Sequence, residues 1–178
     1  AATHTHDLDA LGMFQHRMFV LECADSDPLT GRWQEKGQVV TPFDTFALDA
    51  TTFTHQGKRW YLWAQISPHI EGNSNLYLAE MANPWTLKGE PVMLSKPEFD
   101  WECRGFKVNE GPAVLMHGDK LFISYSASAT DENYCMGLLW IDRQADPLQP
   151  ANWHKAPQPV FRTSYENRQY GPGHNSFT

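Results

Sequence analysis

The fold follows from one stretch that occurs twice: residues 49–65 read DATTFTHQGKRWYLWAQ, and residues 110–126 read EGPAVLMHGDKLFISYS. The two copies align without a gap, 61 positions apart, which places Asp49 on Glu110 and aligns the two turn glycines. Each copy has two short runs rich in aromatic and β-branched residues, separated by HQGK or HGDK. Glycine at such a turn accommodates the positive φ that tight hairpins need. Each copy is therefore predicted to form a β-hairpin.

A second feature recurs along the chain: an Asx-Pro pair that follows a short apolar run. It occurs at Asp27-Pro28, Asn83-Pro84 and Asp146-Pro147, spaced by 56 and then 63 positions. Asp and Asn side chains favour turns, and proline cannot continue a central strand. Each pair is therefore predicted to turn the chain from an apolar strand into an outer strand.

Three copies of a four-stranded unit of roughly 60 residues are typical of propeller blades. We expect an all-β chain that forms a partial β-propeller of about two and a half to three blades. The blades are placed at residues 1–44, 45–105 and 106–165, and a further strand starts in residues 166–178. The alternative is a β-sandwich with coincidental hairpins. An open fan of blades leaves strand edges and blade faces uncovered, which favours self-association.

The aligned acids, Asp49 and Glu110, start the innermost strands of adjacent blades, so both are expected at one mouth of the central channel. Two carboxyl groups in one pocket raise the pKa of one of them, which then stays protonated. Acid-catalysed glycoside cleavage requires such a pair. The alternative is that each acid only closes a turn. His174 takes the corresponding place in the next copy, either as a metal or water ligand or as a hydrogen-bonded structural residue.

Composition excludes several other classes of function. The chain has 178 residues, 41% of them hydrophobic, which fits one globular domain. A formal net charge of −7 without a basic run argues against nucleic-acid binding, and no apolar run approaches the ~20 residues of a membrane span. No signal peptide is visible, and three scattered cysteines favour free thiols. These observations predict a cytoplasmic protein.

Five segments, in order and spacing, resemble glycoside hydrolase family 43. They are FALDATTF (46–53), AEMANPWTLKG (79–89), VNEGPAVL (108–115), YSASATDENYCMGLL (125–139) and QYGPGHNSF (169–177). The resemblance covers nearly the whole chain and is nearest to the branch of α-L-arabinofuranosidases and β-xylosidases. It implies the five-bladed β-propeller of that family, from which this chain would lack the first blade and the C-terminal blades.

The resemblance also implies roles for particular residues. Family members invert the anomeric carbon with three acids, and the general acid of the EGP motif maps onto Glu110. The aspartate that raises the pKa of that acid and orients it maps onto Asp49, with Ala50 in place of the motif's proline. The general base, an aspartate of the first blade, matches no residue here. The family's channel histidine, often near a calcium ion or a water cluster, maps onto His174, and no cofactor is required.

The resemblance predicts an inverting O-glycosidase that removes terminal α-L-arabinofuranosyl or β-xylosyl residues from plant oligosaccharides. The unmatched base predicts activity that is impaired or that depends on assembly. A non-catalytic carbohydrate-binding or self-assembling propeller fragment is the alternative.

Three residues outside the catalytic set are candidates for contact with the substrate: Trp101, Arg104 and Trp63. A flat apolar ring suits the face of a sugar, and arginine can bind a hydroxyl group. Packing is the alternative for Trp63. Asp100 and Glu102, which flank Trp101 in a polar loop, are predicted to be solvated surface residues.

Overall fold

In the computed structural model of the chain, which describes residues 15–177, ten strands form three antiparallel sheets. The strands are β1 Phe19–Cys23, β2 Trp33–Gln38, β3 Ala47–His55, β4 Lys58–Gln65, β5 Asn75–Asn83, β6 Thr86–Ser95, β7 Asn109–His117, β8 Lys120–Ala127, β9 Cys135–Asp142 and β10 His154–Lys155. The sheets are β1–β2, β3–β6 and β7–β10, each with its strands in chain order. Two 3₁₀ turns, Asp100–Glu102 and Pro150–Asn152, lie between strands. The all-β prediction is confirmed.

Both predicted hairpins are present. β3 and β4 are joined by Gln56 and Gly57, with φ values of 52° and 71°. β7 and β8 are joined by Gly118, at φ 57°, and Asp119. Positive φ at the turn matches the right-handed twist of the flanking strands, which is why glycine occurs there.

The three Asx-Pro turns share one hydrogen bond. The side-chain oxygen of the Asx residue accepts from the backbone N–H two positions later, at Leu29, Trp85 and Leu148, over 3.0, 3.0 and 2.9 Å. This Asx turn replaces a backbone turn and fixes the point where the chain reverses. The predicted turns are therefore confirmed at all three positions.

The inner strands of the middle sheet, β4 and β5, are mostly buried on both faces. On β4, Trp60, Leu62 and Ala64 pack against the third sheet, whereas Tyr61 and Trp63 pack towards Val39 and Met18 beside the first sheet. Side chains alternate along a strand, so a nearly continuous apolar run supplies two cores at once. β4 thus contributes to the cores on both sides of the middle sheet.

The sheets occupy residues 19–38, 47–95 and 109–155, each within one of the predicted blade ranges. The blade boundaries and the partial β-propeller stay predictions, and residues 1–14 and Thr178 lie outside the described residues. Within residues 15–177, no helix has the length and apolarity that crossing a membrane would require.

Candidate functional site

Asp49 lies in a β-bulge at the start of β3. Leu48 pairs with Ala64 and Thr51 with Leu62, so Asp49 and one neighbour oppose a single residue of β4. Asp49 has φ 54°, a conformation that side chains other than glycine rarely adopt. Bulges of this kind bend a strand and redirect a side chain, often beside an active site.

The same bulge occurs at the start of β7, and its position corrects the sequence alignment. Glu110 pairs with Ser126 and Ala113 with Ser124, and the bulged residue with φ 53° is Gly111. Gly111 lies 62 positions after Asp49, and the turns of the two hairpins are also 62 apart. Asp49 is therefore the counterpart of Gly111, and the prediction that it occupies the position of Glu110 is wrong by one residue.

The third repeat continues the series. His174 has φ 50° and follows Gly111 by 63 positions, so the three successive copies each place one left-handed residue at this point. The backbone N–H of Gly111 donates to Asp49 Oδ2 over 3.0 Å, and His174 Nδ1 lies 3.8 Å from the same oxygen. A Cβ on Gly111 would lie only 3.2 Å from His174 Nδ1. Glycine thus allows three repeats to meet around one carboxylate.

Glu110, which directly precedes the bulge, is half-buried in this convergence. The Tyr134 hydroxyl donates to Glu110 Oε1 over 2.7 Å. Burial raises the pKa of Glu110, and the charge of Asp49 raises that pKa further. The hydrogen bond from Tyr134 and the nearby His174 pull the pKa down without cancelling the rise. Glu110 is the group here best suited to hold a proton and donate it.

Asn109 fixes the backbone from which Glu110 projects. Its side chain is buried, donating to Glu102 Oε1 over 2.9 Å and accepting from Ser95 Oγ over 2.6 Å. Ser74 Oγ donates to its carbonyl oxygen over 3.0 Å. Because these bonds come from the end of β6, from the residue before β5 and from the 3₁₀ turn between the two sheets, they tie the entry of β7 to the middle sheet.

Glu102 is the centre of that network, and its predicted exposure is wrong. It is 0% exposed, and its carboxylate accepts from the Asn109 amide, from the Tyr125 hydroxyl at 2.9 Å and from two backbone N–H groups. Lys155 Nζ lies 2.9 Å from the same carboxylate. A buried carboxylate is tolerated only when paired and hydrogen-bonded in this way. Asp100 is exposed, as predicted.

The predicted substrate contacts separate into two groups. Trp101 and Arg104 line one cavity of about 370 Å³, although Trp101 is only 8% exposed and donates its ring N–H to the carbonyl of Pro157. Asn133 and Cys135, on either side of Tyr134, line the same cavity.

Trp63 is far from any surface. It is 0% exposed, stacks on Tyr77 and donates its ring N–H to Gln65 Oε1. No sugar can reach a ring enclosed between two sheets, so the candidate contact at Trp63 is corrected to core packing.

The described residues do not fit a calcium site by themselves. Residues 15–177 contain no cluster of three or more His, Cys, Asp and Glu side chains. Calcium takes six to eight oxygen ligands, whereas His174 offers a nitrogen beside one carboxylate. No step of the proposed chemistry involves a metal ion.

Comparison with known proteins identifies a family and several similar proteins. Residues 4–178 match the family described as "Glycosyl hydrolases family 43". The chain is 54% identical, over all 178 residues, to an "Extracellular exo-alpha-(1->5)-L-arabinofuranosidase" of Streptomyces avermitilis, and 54% identical over 162 residues to a protein of the same name from Streptomyces chartreusis. An α-L-arabinofuranosidase of Lactobacillus brevis of known crystal structure superposes on 99% of the chain with a TM-score of 0.95 and 58% identity.

Two further facts come from these relatives. The chain spans 36% and 49% of the length of the two Streptomyces proteins and 55% of the Lactobacillus brevis chain. Both Streptomyces proteins are named extracellular, which contradicts the predicted cytoplasmic location. The free cysteines did not indicate the compartment.

Proposed function

Because the chain belongs to glycosyl hydrolase family 43, we propose that it supplies the acid side of an inverting α-L-arabinofuranosidase site. The observation that carries this proposal is the convergence of Glu110, Asp49 and His174 from three successive repeats. A half-buried carboxyl group with a raised pKa, beside a second carboxylate, is the arrangement of a general acid.

In the proposed reaction, Glu110 gives its proton to the glycosidic oxygen as the bond to the sugar breaks. Burial raises the pKa of Glu110 most, and the charge of Asp49 raises it further. Asp49 also accepts from the Gly111 N–H and so fixes the adjacent backbone. Inversion also needs a carboxylate on the opposite face of the sugar, roughly 6.5–9.5 Å from the acid, to activate water. None of residues 15–177 is assigned that role, so turnover depends on a base from elsewhere in the protein or from another copy.

We propose terminal arabinofuranosyl units as the substrate, in preference to β-xylosyl units. The support is that the relatives with the highest identities reported above are arabinofuranosidases, two of them exo-acting on α-(1→5) linkages by name. The cavity beside Trp101 and Arg104 is proposed to receive the rest of the oligosaccharide. Because both Streptomyces relatives are named extracellular, we also propose that the protein is secreted.

A direct test compares release of arabinose from α-(1→5)-arabino-oligosaccharides with release of xylose from xylo-oligosaccharides. Asp49→Asn is expected to lower kcat/KM for the arabinoside by about 10–100-fold, since a neutral amide no longer raises the pKa of Glu110. The alkaline limb of the pH profile should move to lower pH. Asp119→Asn, a change at an exposed turn acid, is the matched control. Preferential release of xylose, or an unaltered Asp49→Asn enzyme, would contradict the proposal.

A self-associating fragment is the second candidate, and the third sheet supports it. Leu115, Phe122 and Trp140 form a cross-strand row on the face of that sheet turned away from the middle sheet. Leu115 is 40% exposed and the other two are half-buried, so the row has a partly uncovered apolar surface. Association of two copies would cover it. A solution mass equal to one chain, together with full hydrolytic activity, would exclude this second candidate.

A further inference from the structure

Tyr134 lies at the junction of three elements, and no role in the proposed reaction has yet been given to it. Its hydroxyl donates to Glu110 Oε1 over 2.7 Å, while its side chain is buried. Ser126 of β8 is hydrogen-bonded to the same hydroxyl, and Ser126 Oγ accepts from the backbone N–H of His174 over 2.6 Å. One chain of hydrogen bonds therefore runs from His174 through Ser126 and Tyr134 to Glu110.

Close packing by the last described segment, residues 169–177, holds the Tyr134 ring in place. A Cβ on Gly173 would lie 2.1 Å from Tyr134 Cε1, far inside contact distance. A Cβ on Gly171 would likewise collide with the carbonyl oxygen of Asp131, in the loop that leads to Tyr134. The two glycines allow the backbone of residues 169–177 to lie directly against the ring and its loop.

The Tyr134 hydroxyl releases its proton less readily than that of an ordinary tyrosine. Burial raises the pKa of Tyr134, and the carboxyl group of Glu110 raises it further, so the hydroxyl keeps its proton. Its hydrogen bond to the Glu110 carboxylate runs from tyrosine to carboxyl. A donor fixed on Oε1 leaves Oε2 as the oxygen that carries the proton of the neutral acid.

We propose that Tyr134 is the positioning residue of the general acid: it orients the Glu110 carboxyl through Oε1 and stabilises the carboxylate that forms when Oε2 releases its proton. The proposal rests on the proposed function. In the step concerned, the Oε2–H bond breaks and the proton passes to the glycosidic oxygen. The bond from that oxygen to the anomeric carbon breaks, and water adds to the carbon from the opposite face, losing its proton to a carboxylate base.

The hydrogen bond strengthens as the reaction proceeds. Before proton transfer Glu110 is neutral, and afterwards it is an anion, to which hydrogen bonds are roughly twice as strong. Interactions that are stronger in the transition state than in the ground state raise the rate. Tyr134 therefore contributes most where the leaving group needs full protonation, and residues 169–177 contribute indirectly by holding its ring.

The test is Tyr134→Phe, which keeps the ring and removes the donor. We expect kcat for arabino-oligosaccharides to fall by about 10–100-fold, with little change for aryl arabinosides that carry good leaving groups. The pKa of Glu110 should rise, because the lost donor had stabilised the charged form, so the alkaline limb of the pH profile should move to higher pH. A ¹³C NMR titration of the Glu110 carboxyl measures the same shift without turnover.

Two further variants complete the experiment. Gly173→Ala, which displaces the ring without touching Glu110, should raise the pKa of Glu110 in the same direction. Trp33→Phe, at an aromatic residue of β2 that is 54% exposed, should leave that pKa and both activities unchanged. A Tyr134→Phe protein with an unaltered Glu110 titration, or with equal losses on both substrates, would overturn the positioning role. If Glu110→Ala nevertheless loses activity, the proposed function is retained and only the role of Tyr134 is rejected.

Discussion

Glu110→Ala is expected to reduce kcat/KM for α-(1→5)-arabino-oligosaccharides by about 10²–10⁴-fold, the usual contribution of a general acid. The sugar alkoxide is a poor leaving group, so the bond breaks slowly unless a proton is delivered to its oxygen. Glu110 is the half-buried acid whose pKa is raised by burial and by Asp49, so it retains the proton to higher pH than an ordinary glutamate. The measurement is the initial rate of arabinose release over a range of pH.

Aryl arabinofuranosides are the internal control for that experiment. A nitrophenolate departs without much proton assistance, so their hydrolysis should fall far less in Glu110→Ala, and the alkaline limb of the pH profile should disappear. Glu35→Ala, at an exposed residue of β2, serves as the matched variant and should behave as wild type. Equal losses on both substrates would show that Glu110 supports the fold or binds the sugar instead of donating a proton.

Glu102→Ala is expected to have the largest effect on stability, lowering the free energy of unfolding by about 3–5 kcal/mol. The substitution removes the buried carboxylate beside the Lys155 ammonium, which is 13% exposed and keeps only the more distant Glu98 as a charge partner. It also removes the acceptor used by Asn109 and Tyr125. Because Asn109 directly precedes Glu110, the entry of β7 should loosen as well. Chemical denaturation, with the transition followed by tryptophan fluorescence, measures the change.

Glu98 provides the control for this prediction because it pairs with the same lysine at the surface. Its carboxylate lies 3.4 Å from Lys155 Nζ and is 48% exposed, so Glu98→Ala should cost within about 1 kcal/mol. Comparable losses in the two variants would mean that the Glu102 network contributes no more than a surface ion pair.

Local turn chemistry was predictable from the sequence. The hairpins need positive φ at two-residue turns, and Gly57 and Gly118 supply it. The Asx-Pro pairs carry their own hydrogen-bond acceptor, so each turn forms from a few adjacent residues. Alternating and continuous apolar runs then indicated strands, and the roles of Glu110 and Asp49 came from a family resemblance.

Features that depend on contacts between repeats could not be predicted in this way. Aligning Gly57 with Gly118 gave a spacing of 61 positions. Gly57, however, is the second residue of its hairpin turn, whereas Gly118 is the first residue of its own. The repeats are therefore 62 positions apart. Glu102 looks like a surface acid because its partners lie at Asn109, Tyr125 and Lys155, far along the chain. Tyr134 carries no local sign that its hydroxyl reaches Glu110.

A ¹³C NMR titration of the Glu110 carboxyl, in wild type and in Asp49→Asn, measures whether Asp49 tunes this acid. In wild type we expect a pKa above the ordinary value for glutamate, because burial and the Asp49 charge both disfavour the anion. In Asp49→Asn we expect a lower pKa of Glu110, because burial still raises it but the charge at residue 49 is gone. If Glu110 in wild type titrates at or below the ordinary value for glutamate, or if Asp49→Asn leaves its pKa unchanged, then Asp49 does not tune Glu110 as a general acid.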